Sequence, residues 1–190
     1  MTVATEKLLS PEEFLALPDA DEYELIDGTL VERKFMGALS DVVAAMVIRI
    51  LGNFCTERNL GWVFGASASY QCFGGPTIRR CDVSFVRSER LSYPPDGTIR
   101  IPPDLAVEVV SPGDLAYEVE AKITQYLDNG FSLIWVLYPH TRTLHIHRAD
   151  RSTTILTEQQ QITGEGALNG FACAVRDFFP PQDPSQTPAA

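Results

Sequence analysis

A glutamate stands inside a run that is otherwise apolar. Glu108 lies within Leu105–Val110, a short, valine-rich run that is typical of a buried central strand. Burying an unpaired carboxylate is costly, so Glu108 needs an arginine, a metal ion or a raised pKa beside it. A buried acid on a strand is more often part of a structural ion pair than a metal ligand, and Glu108 by itself leaves both interpretations open.

A second acid occupies a comparable position on another predicted strand. Asp82 lies in Arg80–Val86, where apolar and polar residues alternate. If the two strands are neighbours, Asp82 and Glu108 face each other across about 5 Å. Like charges at that distance repel unless a cation neutralises them. Because magnesium prefers carboxylate oxygens and retains water ligands, the pair predicts a Mg²⁺ site, with Mn²⁺ as a substitute.

The helix that follows the Glu108 strand carries a lysine and a tyrosine on one face. Lys122 and Tyr126 are one turn apart in the predicted helix Asp114–Asn129. A lysine directed at the metal could hold a water molecule or a phosphate oxygen. Glu24, in the predicted strand Tyr23–Ile26, adds a third acid. Taken singly, Lys122 fits a solvated surface lysine and Glu24 a strand-edge charge, so only the combination points to chemistry.

The remaining elements predict a single domain built around one sheet. Ser10 caps a short helix from Pro11 to about Leu17, and Asp27-Gly28 turns the first strand into a second. A long amphipathic helix runs over Ser40–Glu57 with Ser40 as its cap. Further strands are predicted at Trp62–Phe64, Ala68–Phe73, Phe131–Tyr138, Thr143–Arg148 and Thr153–Leu156. This order indicates a mixed α/β or α+β domain.

Composition excludes several other classes of protein. The 190 residues are 45% hydrophobic, which predicts one globular domain over residues 1–179 and a flexible, proline-rich tail over 180–190. No P-loop, dinucleotide-binding or nucleophile-elbow motif occurs, so no nucleotide cofactor is expected. No apolar run approaches the ~18 residues of a membrane span and no signal peptide is evident, so we expect a cytoplasmic protein without membrane contact. The net charge of −10 argues against binding nucleic acid through bulk charge.

Several short strings in this order resemble one family. They are Tyr23-Glu24-Leu25-Ile26-Asp27-Gly28, then Arg80-Cys81-Asp82-Val83-Ser84-Phe85-Val86, then Val107-Glu108-Val109-Val110-Ser111-Pro112, then Lys122, Tyr126, Gly130 and Trp135. The pattern resembles the Uma-two family of restriction-endonuclease-like proteins in the PD-(D/E)XK superfamily. The resemblance spans roughly Glu12 to Arg148. It implies a restriction-endonuclease-like core, in which helices flank a central mixed sheet, and it implies a homodimer.

The resemblance also assigns roles to individual residues. Asp82 matches the motif aspartate and Glu108 the glutamate of the (D/E)XK strand, so both would hold magnesium together with the backbone carbonyl of Val109. Val110 stands at the motif's lysine position, and Lys122 on the following helix takes that role. Glu24 matches an early acid that assists the metal site. Tyr126, on the same helix face as Lys122, would contact the residues that hold the metal.

The function implied is magnesium-dependent hydrolysis of phosphodiester bonds, with DNA as the expected substrate. Arg79 and Arg80, just before Asp82, together with Arg87 and Arg90 beyond it, are the candidates for phosphate contacts. Two alternatives remain open. One is a catalytically silent protein that uses a nuclease fold for binding or assembly, which the negative charge favours. The other is a magnesium-dependent hydrolase of a small phosphorylated substrate, for which the sequence offers no phosphate-cradling loop.

Overall fold

The computed structural model describes residues 8–182, and within them it has three α-helices, two short 3₁₀ helices and twelve strands. The α-helices are α1 (Pro11–Leu15), α2 (Ala38–Arg58) and α3 (Ala116–Asp128). The strands are β1 (Tyr23–Ile26), β2 (Thr29–Glu32), β3 (Gly61–Gly65), β4 (Ser69–Tyr70), β5 (Arg79–Arg80), β6 (Val83–Arg87), β7 (Leu105–Val109), β8 (Leu133–Tyr138), β9 (Thr143–Arg148), β10 (Thr153–Thr157), β11 (Gln161–Gly164) and β12 (Leu168–Ala174). Most of the predicted tail over 180–190 lies outside the described residues.

Six of these strands form one mixed sheet. Their order is β10-β9-β8-β7-β6-β3, with β7 and β8 parallel and every other pair antiparallel. The parallel pair is joined through α3, as a crossover connection requires. The predicted mixed sheet flanked by helices is therefore confirmed.

The two faces of the sheet bury two different clusters, because successive strand residues point to opposite sides. On β7, Val107 and Val109 pack toward α2 in one apolar cluster, whereas Ala106 packs toward α3 in the other. Glu108 lies on the α3 face and contacts side chains of that helix. The strand period thus decides that the buried carboxylate meets α3.

Helix α2 supplies the core on the opposite face. Val43, Val47 and Leu51 follow helical spacing and are fully buried against the sheet. By length and composition α2 could also span a membrane, with a mean hydropathy of 1.6, which corrects the expectation that no apolar run reaches that length. The core helix of a globular domain passes the same test, and the buried face of α2 belongs to this core.

A small β-hairpin carries Glu24 to the main sheet. β1 and β2 pair antiparallel around the predicted Asp27-Gly28 turn. β1 also bridges to Ile78, and the Leu25 and Ile78 backbones exchange hydrogen bonds of 3.0 and 2.8 Å. Because Ile78 precedes β5, the hairpin is held against the segment that leads into Asp82.

The predicted strand Arg80–Val86 is interrupted, and this is the correction closest to the candidate site. β5 ends at Arg80 and β6 begins at Val83, with a bend at Asp82. The Asp82 carboxylate accepts a hydrogen bond of 2.7 Å from the Val109 backbone N–H. A side chain thus replaces the backbone ladder at this point, so the strand cannot continue through Asp82.

Two predicted helix starts also need correction. The N-cap of α2 is Gly37, and Ser40 lies inside the first turn, where its hydroxyl donates to the Val110 carbonyl oxygen at 3.1 Å. α3 begins at Ala116 because the Asp114 carboxylate instead accepts from the Ser111 N–H at 2.7 Å and closes a turn before the helix. In both cases the predicted capping side chain bonds another group, which for Ser40 lies on a distant segment and for Asp114 lies three residues away.

Other strand boundaries also differ from the prediction. The strand predicted over Ala68–Phe73 shortens to β4, and the hairpin of β11 and β12 was not predicted. β12 contains Gly170 at a positive φ, and its pairing with β11 shifts register between Thr163 and Gly164, so simple alternation does not mark the pair.

Gly61→Ala is expected to destabilise the fold. Gly61 has a φ of +149°, and a Cβ there would lie 2.2 Å from the Val86 carbonyl oxygen. We expect the free energy of unfolding to fall by about 1–3 kcal/mol, measured by urea titration. Gly65→Ala, at the other end of β3, is the control, because its Cβ would meet the Ile48 side chain at an ordinary 3.5 Å. Equal losses in both variants would contradict this account.

Candidate active site

The register of the central strands places the two predicted metal ligands opposite each other. β6 pairs with β7 so that Val83 faces Val107. Asp82 directly precedes Val83, and its carboxylate lies close enough to Glu108 to help raise the Glu108 pKa. The hydrogen bond from the Val109 N–H to Asp82 fixes this approach. The predicted adjacency of the two strands is therefore confirmed.

Helix α3 supplies the groups that satisfy Glu108. Lys122 Nζ donates to Glu108 Oε2 at 2.8 Å and to the Arg80 carbonyl oxygen at 3.1 Å. The Tyr126 hydroxyl lies 2.9 Å from Glu108 Oε1 and 3.1 Å from the same Arg80 carbonyl. Lys122 and Tyr126 thus contact the two oxygens of the Glu108 carboxylate and share the Arg80 carbonyl, as their one-turn spacing predicts.

Glu24 joins the same cluster from the hairpin. Its Oε1 accepts from the Arg80 backbone N–H at 2.7 Å, and its Oε2 pairs with the Arg79 guanidinium at 3.0 Å. Arg79 also reaches Gln125 on α3. The residues predicted for the site, on four separate segments of the chain, therefore come together at one end of β7.

Arg80 differs from the other predicted residues in its surroundings. Its side chain is only 3% exposed, and the guanidinium donates to Ser69 Oγ and to the carbonyl oxygens of Ala20 and Tyr23. It also pairs with Asp21 at 3.2 Å. These bonds tie the hairpin to β5. A phosphate contact by Arg80 stays a prediction, and its guanidinium would first have to leave these partners.

The comparison with protein families identifies this chain's relatives. A family model named Uma2, described as "Putative restriction endonuclease", matches residues 11–176. The chain belongs to this family. The match covers the whole candidate site, from Glu24 to Tyr126.

One solved structure similar to this Uma2 protein is described as a putative nuclease belonging to DUF820 from Anabaena variabilis. It superposes with a TM-score of 0.77 at 19% sequence identity and covers 90% of this chain and 97% of its own. At that identity the likeness shows a shared fold. No curated protein matches the sequence.

Burial and neighbouring charges shift the pKa values of the acids in the site in different directions. Burial raises the pKa of Glu108 to about 7, against the lowering effect of Lys122. Burial likewise raises the pKa of Asp82. For Glu24, burial is outweighed by Lys122 and Arg79, which hold its pKa below the ordinary value. Burial would lower the pKa of Lys122, but the three carboxylates outweigh it and raise that pKa, so the lysine stays charged.

The donor set fits a small, hard cation that keeps some of its water. Among residues 8–182, no group of three or more His, Cys, Asp and Glu side chains is arranged to hold a metal. Asp82 and Glu108 are instead a buried pair of acids with raised pKa values, and a nearby cation would favour their charged forms. Magnesium binds through one or two carboxylates and completes its shell with water, so two acids and the Val109 carbonyl suit it.

Arg33 is a site neighbour that the sequence interpretation missed. It follows β2, and its guanidinium donates to the carbonyl oxygens of Asp21 at 3.1 Å and Ala66 at 3.2 Å. Its charge helps to lower the pKa of Glu24 and opposes the rise in that of Asp82. In the sequence Arg33 merely ends a hairpin strand, and nothing in its spacing relates it to Asp82.

The raised pKa of Glu108 predicts how stability depends on pH without metal. The folded protein holds a proton on Glu108 that the unfolded chain releases above pH 4.5, so stability is lost as pH rises from 4.5 to about 7. In EDTA, we expect this loss to reach about 3 kcal/mol relative to Glu108→Gln, measured by urea unfolding at several pH values. Parallel curves for the two proteins would contradict the assignment.

Proposed function

We propose that this protein is a divalent-metal-dependent endonuclease that hydrolyses DNA. The observation that carries the proposal is the meeting of Asp82, the Val109 backbone, Glu108 and Lys122 at the end of β7. Membership of a family described as restriction endonuclease supports the reaction class. Fold alone would not, because one fold can host unrelated activities.

Asp82, Glu108 and the Val109 carbonyl would hold the metal, and magnesium is the ion that suits them. When bound, a divalent ion of this kind lowers the pKa of a coordinated water and offsets charge on a phosphate. Asp82 is oriented for this role by the Val109 N–H, which leaves its second carboxylate oxygen without a hydrogen bond inside the described residues.

Lys122 is the chain's own cation at the reacting position. Its ammonium stays protonated among three acids, so it can neutralise charge on the attacked phosphate or orient a water. Tyr126 holds Glu108 from the other oxygen and so fixes the carboxylate's orientation. Glu24, anchored by Arg79 and the Arg80 N–H, adds negative charge that keeps Lys122 protonated.

Two finer assignments accompany the proposal. We place the protein in the cytoplasm and expect a homodimer. The supporting feature for self-association is β10, an edge strand of the main sheet with Ile155 57% exposed.

The second candidate function is a catalytically silent nuclease fold used for binding or assembly. The specific observation in its favour is that Lys122 already neutralises Glu108 by direct contact, so the buried acid has a partner without any metal. A buried ion pair of this kind can be purely structural.

Incubation of pure protein with supercoiled plasmid and magnesium separates the two functions. We expect the wild type to nick the plasmid, and Asp82→Ala and Lys122→Ala to lose that activity. Asp150→Asn is the matched control and should nick like the wild type, because it changes an exposed acid after β9 at the Leu133 end of β8, whereas the site lies at the Val109 end of β7. Nicking that persists in both site variants would refute the site, and absence of nicking with every DNA form and with both magnesium and manganese would favour the silent protein.

A further inference from the structure

We propose that the nucleic-acid strand is unpaired where it meets the candidate site, and that Arg33, Phe35 and Tyr117 bind it. These three residues are called the rim below. The inference rests on the proposed function, because it names the form of the substrate for that same site.

The hydrogen bonds of Arg33 and Lys34 place the rim beside Asp82. Arg33 donates to the carbonyl of Ala66, the residue after β3, and β3 ends opposite Val83, the neighbour of Asp82. Lys34 Nζ donates to the Gly113 carbonyl oxygen at 3.1 Å and pairs with Glu118 on α3. The Tyr117 side chain lies close enough to the Glu118 carboxylate to help lower its pKa, and Phe35 directly follows Lys34, so both residues belong to this edge of the site.

Arg33 is a cation near the site that makes no direct ion pair with a carboxylate among residues 8–182. Arg79, Lys122 and Lys34 each pair with an acid. Within residues 8–182, the guanidinium of Arg33 donates to backbone carbonyls alone. It can therefore bind a phosphate without first giving up an ion pair.

A single cation without an ion pair supplies too few phosphate contacts to hold duplex DNA. Duplex DNA is held by many phosphate contacts, and binders of duplex usually present a basic face. This chain has a net charge of −10, and the arginines and lysine nearest the site are already paired. Binding here must draw on something besides phosphate charge.

The two exposed rings can supply that binding. Phe35 is 91% exposed and Tyr117 is 69% exposed. Bases stack on such rings regardless of sequence, because every base has a π-face. In an intact duplex those faces are already covered by neighbouring bases, so rings at the rim can stack only on unpaired bases. Aromatic stacking and one phosphate contact together indicate a single strand, a flap or an opened loop.

Binding measured without metal tests the inference separately from cleavage. In EDTA, the fluorescence anisotropy of a labelled single-stranded oligonucleotide and of its duplex is recorded with the full chain. We expect the single strand to bind at least about tenfold more tightly, and Phe35→Ala/Tyr117→Ala to lose at least about tenfold of that affinity. Both rings are exposed, so the variant should fold, which thermal unfolding verifies.

Matched variants separate the rim from the general surface. Tyr93→Ala removes a ring that is 75% exposed but packs on Trp62 near the opposite end of β3 and β6, and it should bind like the wild type. Arg33→Gln should reduce the dependence of log K on log salt by about 0.7, the value for one phosphate of a single strand. Arg176→Gln, which removes an exposed arginine after β12, should leave that slope unchanged.

The inference is overturned if duplex binds as tightly as the single strand, if neither binds, or if the rim variant binds like Tyr93→Ala. These outcomes are independent of the plasmid assay. If nicking depends on Asp82 but the protein prefers duplex, the proposed function is supported and the binding of a single strand by the rim is refuted. If single strands bind through the rim but no DNA is cleaved, the proposed endonuclease activity is refuted and the binding surface is supported.

Discussion

Asp82→Asn is expected to abolish magnesium binding and to reduce DNA cleavage by at least about 10²-fold, since a catalytic metal contributes several kcal/mol to the transition state. The change removes the negative charge but keeps an oxygen that can accept the Val109 N–H, so the bend between β5 and β6 should survive. Titration calorimetry with magnesium measures the first effect, and plasmid nicking rates measure the second.

The control for this result is Asp150→Asn, which makes the same chemical change at an exposed position at the other end of the sheet. Its isotherm should match that of the wild type. An unchanged isotherm for Asp82→Asn would refute Asp82 as a ligand, whereas a loss of cleavage with intact metal binding would make it a positioning residue.

Lys122→Met is expected to destabilise the metal-free protein by about 1–3 kcal/mol at neutral pH, because the buried Glu108 carboxyl loses a hydrogen-bond donor and three acids lose a shared cation. The loss stays below that of a permanently charged carboxylate, since Glu108, with a pKa of about 7, can take up a proton. Glu108 is nine-tenths buried, and the Lys122 ammonium also neutralises Glu24 and Asp82. Chemical unfolding in EDTA gives the change in free energy. The same variant should lose plasmid nicking, since no other side chain brings an ammonium to Glu108 within the described residues.

A double variant distinguishes this charge effect from lost packing. Glu108→Gln/Lys122→Met removes both charges, so it should be less destabilised than the sum of the two single variants. Lys34→Met is the surface control, because the Lys34–Glu118 pair is more than 40% exposed on both sides and should contribute far less. Strict additivity of the two site variants would mean that their ion pair does not stabilise the fold.

The local elements around the site could be predicted from sequence because their signals are local. The valine-rich run with one acid gave β7, and the Asp27-Gly28 turn gave the first hairpin. The face of α3 that carries Lys122 and Tyr126 followed from helical spacing. The predicted boundaries were wrong where a side chain made a hydrogen bond in place of the backbone, as Asp82 does between β5 and β6 and Asp114 does before α3.

What the sequence by itself determined is which residues could do chemistry and which face of each element they occupy. Only the tertiary structure decided which of these faces meet. The Leu25–Ile78 bridge brings Glu24 to the site, the buried guanidinium of Arg80 joins that hairpin to β5, and the Ala66 contact places Arg33 beside Asp82. These pairings join residues far apart in the chain, and alternation within a strand or helix does not encode which distant segment packs against it.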